Sequence, residues 1–216
     1  MTKRDRESKG CADCGVWTCD TQAGARPPFC MMTEVGEDAV AASADRYTGD
    51  TEDARIARTA AILEGETYGR LTRVEEVLLF AQRMGYEKVG IASCVGLKHE
   101  CAIFAKAAEA RGVRTVAALC KIGGVDKCRI GLTEEQKVRP GRFEAMCNPI
   151  LQAEALNRVG TDFNVVIGLC VGHDTLFIRH SAAPVTYLIV KDRVLCHNPA
   201  GALYTAESYY KRIVSE

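Results

Sequence analysis

Three short apolar runs, each closed by a cysteine, constrain this chain more than any other feature. They are VGIAS before Cys94, VAAL before Cys120 and VVIGL before Cys170. Unbroken apolar character, in place of strict alternation, belongs to strands buried on both faces. Helical patterns separate the runs. Leu97, Cys101, Phe104, Ala105 and Ala108 fall on one face of a helix over 97–111, and Gly112 stops it. Asn148-Pro149 offers an N-cap and a proline at the first helical position, so a helix runs to Val159 and ends at Gly160. Upstream, Thr72-x-x-Glu75 is a capping box. Behind it Val74, Val77, Leu78 and Ala81 are spaced as one apolar face, with Gly85 as the stop.

Strands are therefore expected at 88–93, 113–119, 163–169 and 185–191. A short one follows at 193–196 after a turn at Lys191-Asp192. A short helix is expected near 173–180 and a last one near 205–214. The stretch 121–147 reads as irregular, with a second capping box at Thr133-x-x-Gln136. Strand–helix alternation over 71–216 predicts an α/β fold with helices covering both faces of a parallel sheet, a mixed sheet being the alternative. Residues 33–70 form a helical connector, with Thr51-Glu52-Asp53 as a helix start. Residues 1–32 form a loop-rich module holding four cysteines, too small to fold on apolar burial alone.

Lys plus Arg and Asp plus Glu stand at 28 each, which removes the electrostatic argument for a nucleic-acid or anionic-membrane partner. The apolar runs are far shorter than the roughly 20 residues that span a bilayer. The start MTKRDRESKG has no apolar stretch behind it, so a cytoplasmic location is expected. Thiols stay reduced there, and 11 cysteines then read as metal ligands or redox groups.

Ligands of an open parallel sheet bind beyond the carboxyl ends of its strands. Cys94, Cys120 and Cys170 all stand at that end, and IASCVG at 91–96 parallels IGLCVG at 167–172. If the strands are neighbours, three thiolates converge. A fourth from Cys147 or Cys128 completes a set suited to an iron–sulfur cluster of the 4Fe–4S type. Cys101 and Cys196 are the cysteines that packing can explain. Cys11, Cys14, Cys19 and Cys30 form a separate metal set, with Cys11-x2-Cys14 in the form of a zinc knuckle. His173 and Asp174, one turn past Cys170, are acid–base candidates at the crevice mouth.

The segments CADCGVWTC, IASCVGLKHE and the long run MCNPILQAEALNRVGTDFNVVIGLCVGHDTLFIRHSAAPVTYLIVKDRVLCHNP resemble an uncharacterised family of cysteine-rich bacterial and archaeal proteins. That resemblance covers nearly the whole chain; it implies metal binding and supplies no reaction. The expected protein is thus a cytoplasmic metal-binding protein with one or two iron–sulfur clusters. Its role would be electron transfer, or sulfur and redox chemistry on a small substrate, with a redox protein or that substrate as partner. The alternative is a zinc-binding module with an α/β domain that takes a ligand or partner.

Overall fold

β1 (Lys88–Ser93), β2 (Arg114–Leu119), β3 (Phe163–Ile167) and β4 (Val185–Ile189) form one sheet in the order β2–β1–β3–β4. Every pairing is parallel. This computed structural model describes residues 10–215. The chain divides into two compact units, residues 1–61 and 62–216. The first holds α1 (Thr18–Thr21), α2 (Met31–Val35), α3 (Glu37–Asp45) and most of α4 (Glu52–Thr67), which runs across the division. The second holds α5 (Arg73–Met84), α6 (Lys98–Glu109), α7 (Pro149–Arg158), α8 (His173–His180) and α9 (Ala200–Tyr204) with the sheet.

The two faces of the sheet build two cores, and strand periodicity sorts the residues between them. Val89 and Ile91 of β1 join Val165 and Ile167 of β3 under α5 and α6, which contribute Val77, Leu78, Cys101 and Phe104. Ala92 joins Ala118 of β2 and Val166 of β3 under α7 and α8, with Ala153, Leu156 and Phe177. The α7 face is lined by small residues, so α7 lies close. Its Gln152 is fully buried, and its Nε2 donates to Ser93 O (3.2 Å) and Ala118 O (2.7 Å) at the ends of β1 and β2.

Local signals act as read. Thr72 and Glu75 cap α5 reciprocally, and Gly85 closes it in the left-handed region. Asn148 caps α7 through a bond from Leu151 N, with Pro149 in its first turn. Two expectations need correction. Arg193–Cys196 is a turn and not a strand, because Asp192 Oδ1 accepts from Val194 N (2.8 Å) and Leu195 N (2.9 Å) and curls the chain. The last helix begins earlier than 205. Pro199, with φ fixed near helical values, starts α9, and only a 3₁₀ turn at Lys211–Ile213 follows. Among the described residues no helix is long and apolar enough to cross a membrane.

Candidate thiol and metal centre at the sheet edge

β2, β1 and β3 are adjacent, so their carboxyl ends open onto one edge. Ser93 pairs with Leu119, and Cys120 N donates to Ser93 O (2.8 Å). Cys94 and Cys120 are therefore the next pair beyond the ladder, both on the α7 face. Cys147 arrives from the irregular stretch. Asn148 N donates to Cys120 O (2.8 Å), which brings the residue before it against the same core. The Cys120 thiol is hydrogen-bonded to both Cys94 and Cys147, so three thiols from three segments stand in a row with Cys120 in the middle.

That row is electrostatically polarised. The bond from Cys120 is the largest influence on Cys94 and holds it down to about 5 against the cost of burial; Gly96 N–H and Lys191 assist. The bond from Cys120 does the same for Cys147, again to about 5, helped by Lys121 and His173. Cys120, facing Cys147 and Cys94, is pushed far up and keeps its proton. Two thiolates thus flank one thiol, and the three titrate as a unit. Lys121 Nζ donates to Ala145 O (2.6 Å) and lies 3.4 Å from Cys147 Sγ, while Val95 N–H points at Cys120 Sγ (3.3 Å). In metal-free protein, alkylation of Cys94 and Cys147 by iodoacetamide should stay near its maximal rate from pH 8 down to about 6. An ordinary thiol loses about tenfold per unit over that range. Peptide mass spectrometry resolves each site, and a tenfold fall per unit at Cys94 and Cys147 would contradict the polarised row.

Cys170 stands further out. Ser93 pairs with Ile167, so Gly168 lies opposite Cys94, and Cys170 is two residues beyond. The likeness of IASCVG to IGLCVG therefore misaligns the strands by two positions. Cys170 Sγ instead accepts from Arg193 Nη2 (3.0 Å), and Arg193 also feels the charges of Cys94 and Cys147. Arg193 carried no sequence signal, because a lone arginine in a turn has no pattern. The turn that presents it is tight: Cys196 and His197 both adopt positive φ, at 50° and 64°.

Cys128 does not join the row. It is exposed, its Sγ bonds Glu134 Oε1 (3.3 Å), and it shares a loop cluster with Asp126 and Lys137. Cys101 is buried in the opposite core, where burial raises its thiol, and Cys196 is exposed. His173 is partly buried; its Nδ1 is buried without a hydrogen-bond partner, and its charge acts on Cys147. Asp174 Oδ1 accepts from Thr175 N (2.7 Å), and its carboxylate accepts from Tyr187, whose hydroxyl is raised to about 12 by burial first and then by Asp174. In the first unit, Cys14 Sγ accepts from Trp17 and Val16 N–H groups, which lower its thiol. Cys19 and Cys30 lie within the electrostatic reach of Arg26, and Cys11 is exposed. All eleven cysteines are free thiols. Among the described residues no three of His, Cys, Asp and Glu are grouped as ligands of a single metal ion.

Fold and site together define a parallel α/β protein with a cation-flanked row of thiols at the carboxyl edge of its sheet. The chain belongs to the family described as "Protein of unknown function (DUF1847)", whose profile matches residues 30–188. That span contains Cys94, Cys120, Cys147 and Cys170. The chain is similar to "Uncharacterized protein MJ0455" of Methanocaldococcus jannaschii, with 46% identity over 163 residues, 76% of this chain and 82% of the relative.

Proposed function

We propose that the protein is an iron–sulfur protein whose sheet-edge cluster is held by Cys94, Cys120 and Cys147, with Cys170 as fourth donor. It would serve electron transfer, or sulfur and redox chemistry on a small substrate, in the reducing cytoplasm. The observation that carries this reading is the meeting of three thiols from separate segments beside Lys121, Lys191 and Arg193. Soft thiolates select iron–sulfur clusters or zinc. The donor set is rich in sulfur and surrounded by positive charge, which suits an anionic thiolate-held group. When bound, such a group supplies a one-electron couple or an iron open to substrate. The chain's own residues anchor it, neutralise it through the three cations, and limit water through the α7 core. Arg193 Nη2 donates to Cys170 Sγ and holds that sulfur in place at the edge.

For the first unit the supported reading is zinc at Cys11, Cys14, Cys19 and Cys30. The N–H groups of Val16 and Trp17 directed at Cys14 Sγ are the kind of support that a metal-bound thiolate receives in a knuckle. The test is anaerobic purification with iron, acid-labile sulfide and zinc determined together. Iron and sulfide in equal amounts, with absorbance near 400 nm that dithionite bleaches, is the expected result. Protein that stays colourless and iron-free after anaerobic reconstitution would overturn the cluster.

A further inference from the structure

We propose that, free of metal, the sheet edge is a dithiol that reduces an anionic low-molecular-weight disulfide by closing a cross-strand bond between Cys94 and Cys120. The inference uses sulfurs assigned above to a metal but does not depend on their holding one.

It stands on register. Ser93 pairs with Leu119, so Cys94 and Cys120 are the following pair on neighbouring parallel strands. Such strands run about 4.8 Å apart. That lies within the roughly 4.4–6.8 Å between Cα atoms that a disulfide bridges without backbone movement. Both side chains also lie on the same face of the sheet and are already hydrogen-bonded through sulfur. Neighbouring strands that place two cysteines in register and on one face meet the geometric demand that most cysteine pairs fail. Cys94 is the more exposed of the two, at 9% against 2%, so it meets the substrate first. The next residue, Val95, is 46% exposed. Lys191 and Arg193 bring positive charge to Cys94, which sets the preference for an anionic substrate.

The steps balance. The Cys94 thiolate attacks one sulfur of R–S–S–R, forming Cys94–S–S–R and releasing RS⁻. The Cys120 thiol then gives its proton to solvent, and its sulfur attacks the Cys94 sulfur. The second RS⁻ leaves as the Cys94–Cys120 bond forms. The substrate disulfide is reduced to two thiolates, and two protein cysteines are oxidised to one disulfide. Closing that bond removes two of the three central donors, so exchange and metal loading exclude each other.

The test uses the full chain, stripped of metal by a chelator and of reductant by gel filtration. It is treated with one equivalent of oxidised glutathione, or in parallel of cystamine. Unreduced tryptic digests are then followed by mass spectrometry. The expected product joins the Cys94 peptide to the Cys120 peptide, forming at least about tenfold faster with glutathione disulfide than with cystamine. Cys120→Ser should trap glutathione on Cys94. Circular dichroism of that variant reports folding, and the wild-type linkage decides the matter without it. A Cys120–Cys147 link in its place, or adducts only at exposed Cys128 and Cys196, would overturn the proposal. Cystamine reacting as fast would overturn the anionic substrate. Iron and sulfide content after reconstitution is scored separately, so failure here leaves the cluster reading intact, and the reverse.

Discussion

Gly90→Ala is expected to destabilise the second unit by about 3 kcal/mol, the upper range for overpacking a core. The midpoint of thermal unfolding should fall by roughly 6–12 °C for a unit of this size. Gly90 sits inside β1 with ordinary backbone angles, so conformational freedom is not its role. It pairs directly with Asn164 of β3 on the α7 face. A Cβ there would stand 2.0 Å from Asn164 Oδ1 and 2.9 Å from Leu156 Cδ1. Neither neighbour can yield cheaply. Asn164 is fully buried; its Oδ1 accepts from Thr161 Oγ1 (2.9 Å) and its Nδ2 donates to Ser181 Oγ (2.8 Å). Displacing that amide strands buried polar groups. Leu156 is fully buried on the inner face of α7. The double variant Gly90→Ala/Asn164→Ala should lose less than the sum of the single losses, because the clash is shared. Calorimetry on the three variants checks both statements. A shift below about 2 °C for Gly90→Ala would mean that Asn164 is not held where the register puts it.

That glycine marks the boundary of what the chain discloses before its structure is known. Element type was legible wherever a local mechanism acted: the Thr72–Glu75 and Asn148–Pro149 caps, the Gly85 stop, and apolar runs too continuous for a half-exposed strand. The parallel sheet followed from their alternation. Gly90 itself reads as a weak strand residue, because its purpose lies in a partner 74 positions away in sequence. The site shows the same division. Cys94 and Cys120 were legible as strand-end cysteines. Whether they were neighbours depended on strand order, which periodicity does not encode. Cys170 carries the best sequence likeness to Cys94, yet register sets it two residues out, where Arg193 takes it. Cys147 comes from a stretch with no periodicity at all; the backbone bond from Asn148 to Cys120 places it, and nothing local announces that bond. Arg193–Cys196 reads as a strand because its apolar valine and leucine outweigh Asp192, whose carboxylate folds the segment into a turn. Asn198-Pro199 looks like Asn148-Pro149 in sequence, but at α9 the proline itself takes the cap position. Cys128, equally plausible by spacing, is drawn into its own loop by Asp126, Glu134 and Lys137.

Cys120→Ala is expected to have the largest effect on the chemistry of the edge, although Cys120 is the least exposed of the three thiols. Its hydrogen bonds are the first cause of acidity in both Cys94 and Cys147. Alanine removes that donor and leaves burial, which opposes ionisation in each. The sign is therefore fixed: both thiols move up, toward the ordinary range near about 8.5. Alkylation of Cys94 and Cys147 at pH 6 should slow by at least about tenfold, since the thiolate is the reacting form. Lys191 and Lys121 remain, so the acidity will not vanish entirely, and Cys147 keeps its contact with Lys121. Iron loading under the same anaerobic reconstitution should fall by more than about tenfold, a loss at least as large as that of a supporting residue around a metal. The two readouts separate two roles. If alkylation slows and iron is retained, Cys120 is a proton donor to its neighbours and not a ligand, and the cluster must be held by Cys94, Cys147 and Cys170. If iron is lost and alkylation is unchanged, the polarised row is wrong and Cys120 acts only as a ligand. Loss of both is what a central thiol bonded to two acidic partners requires.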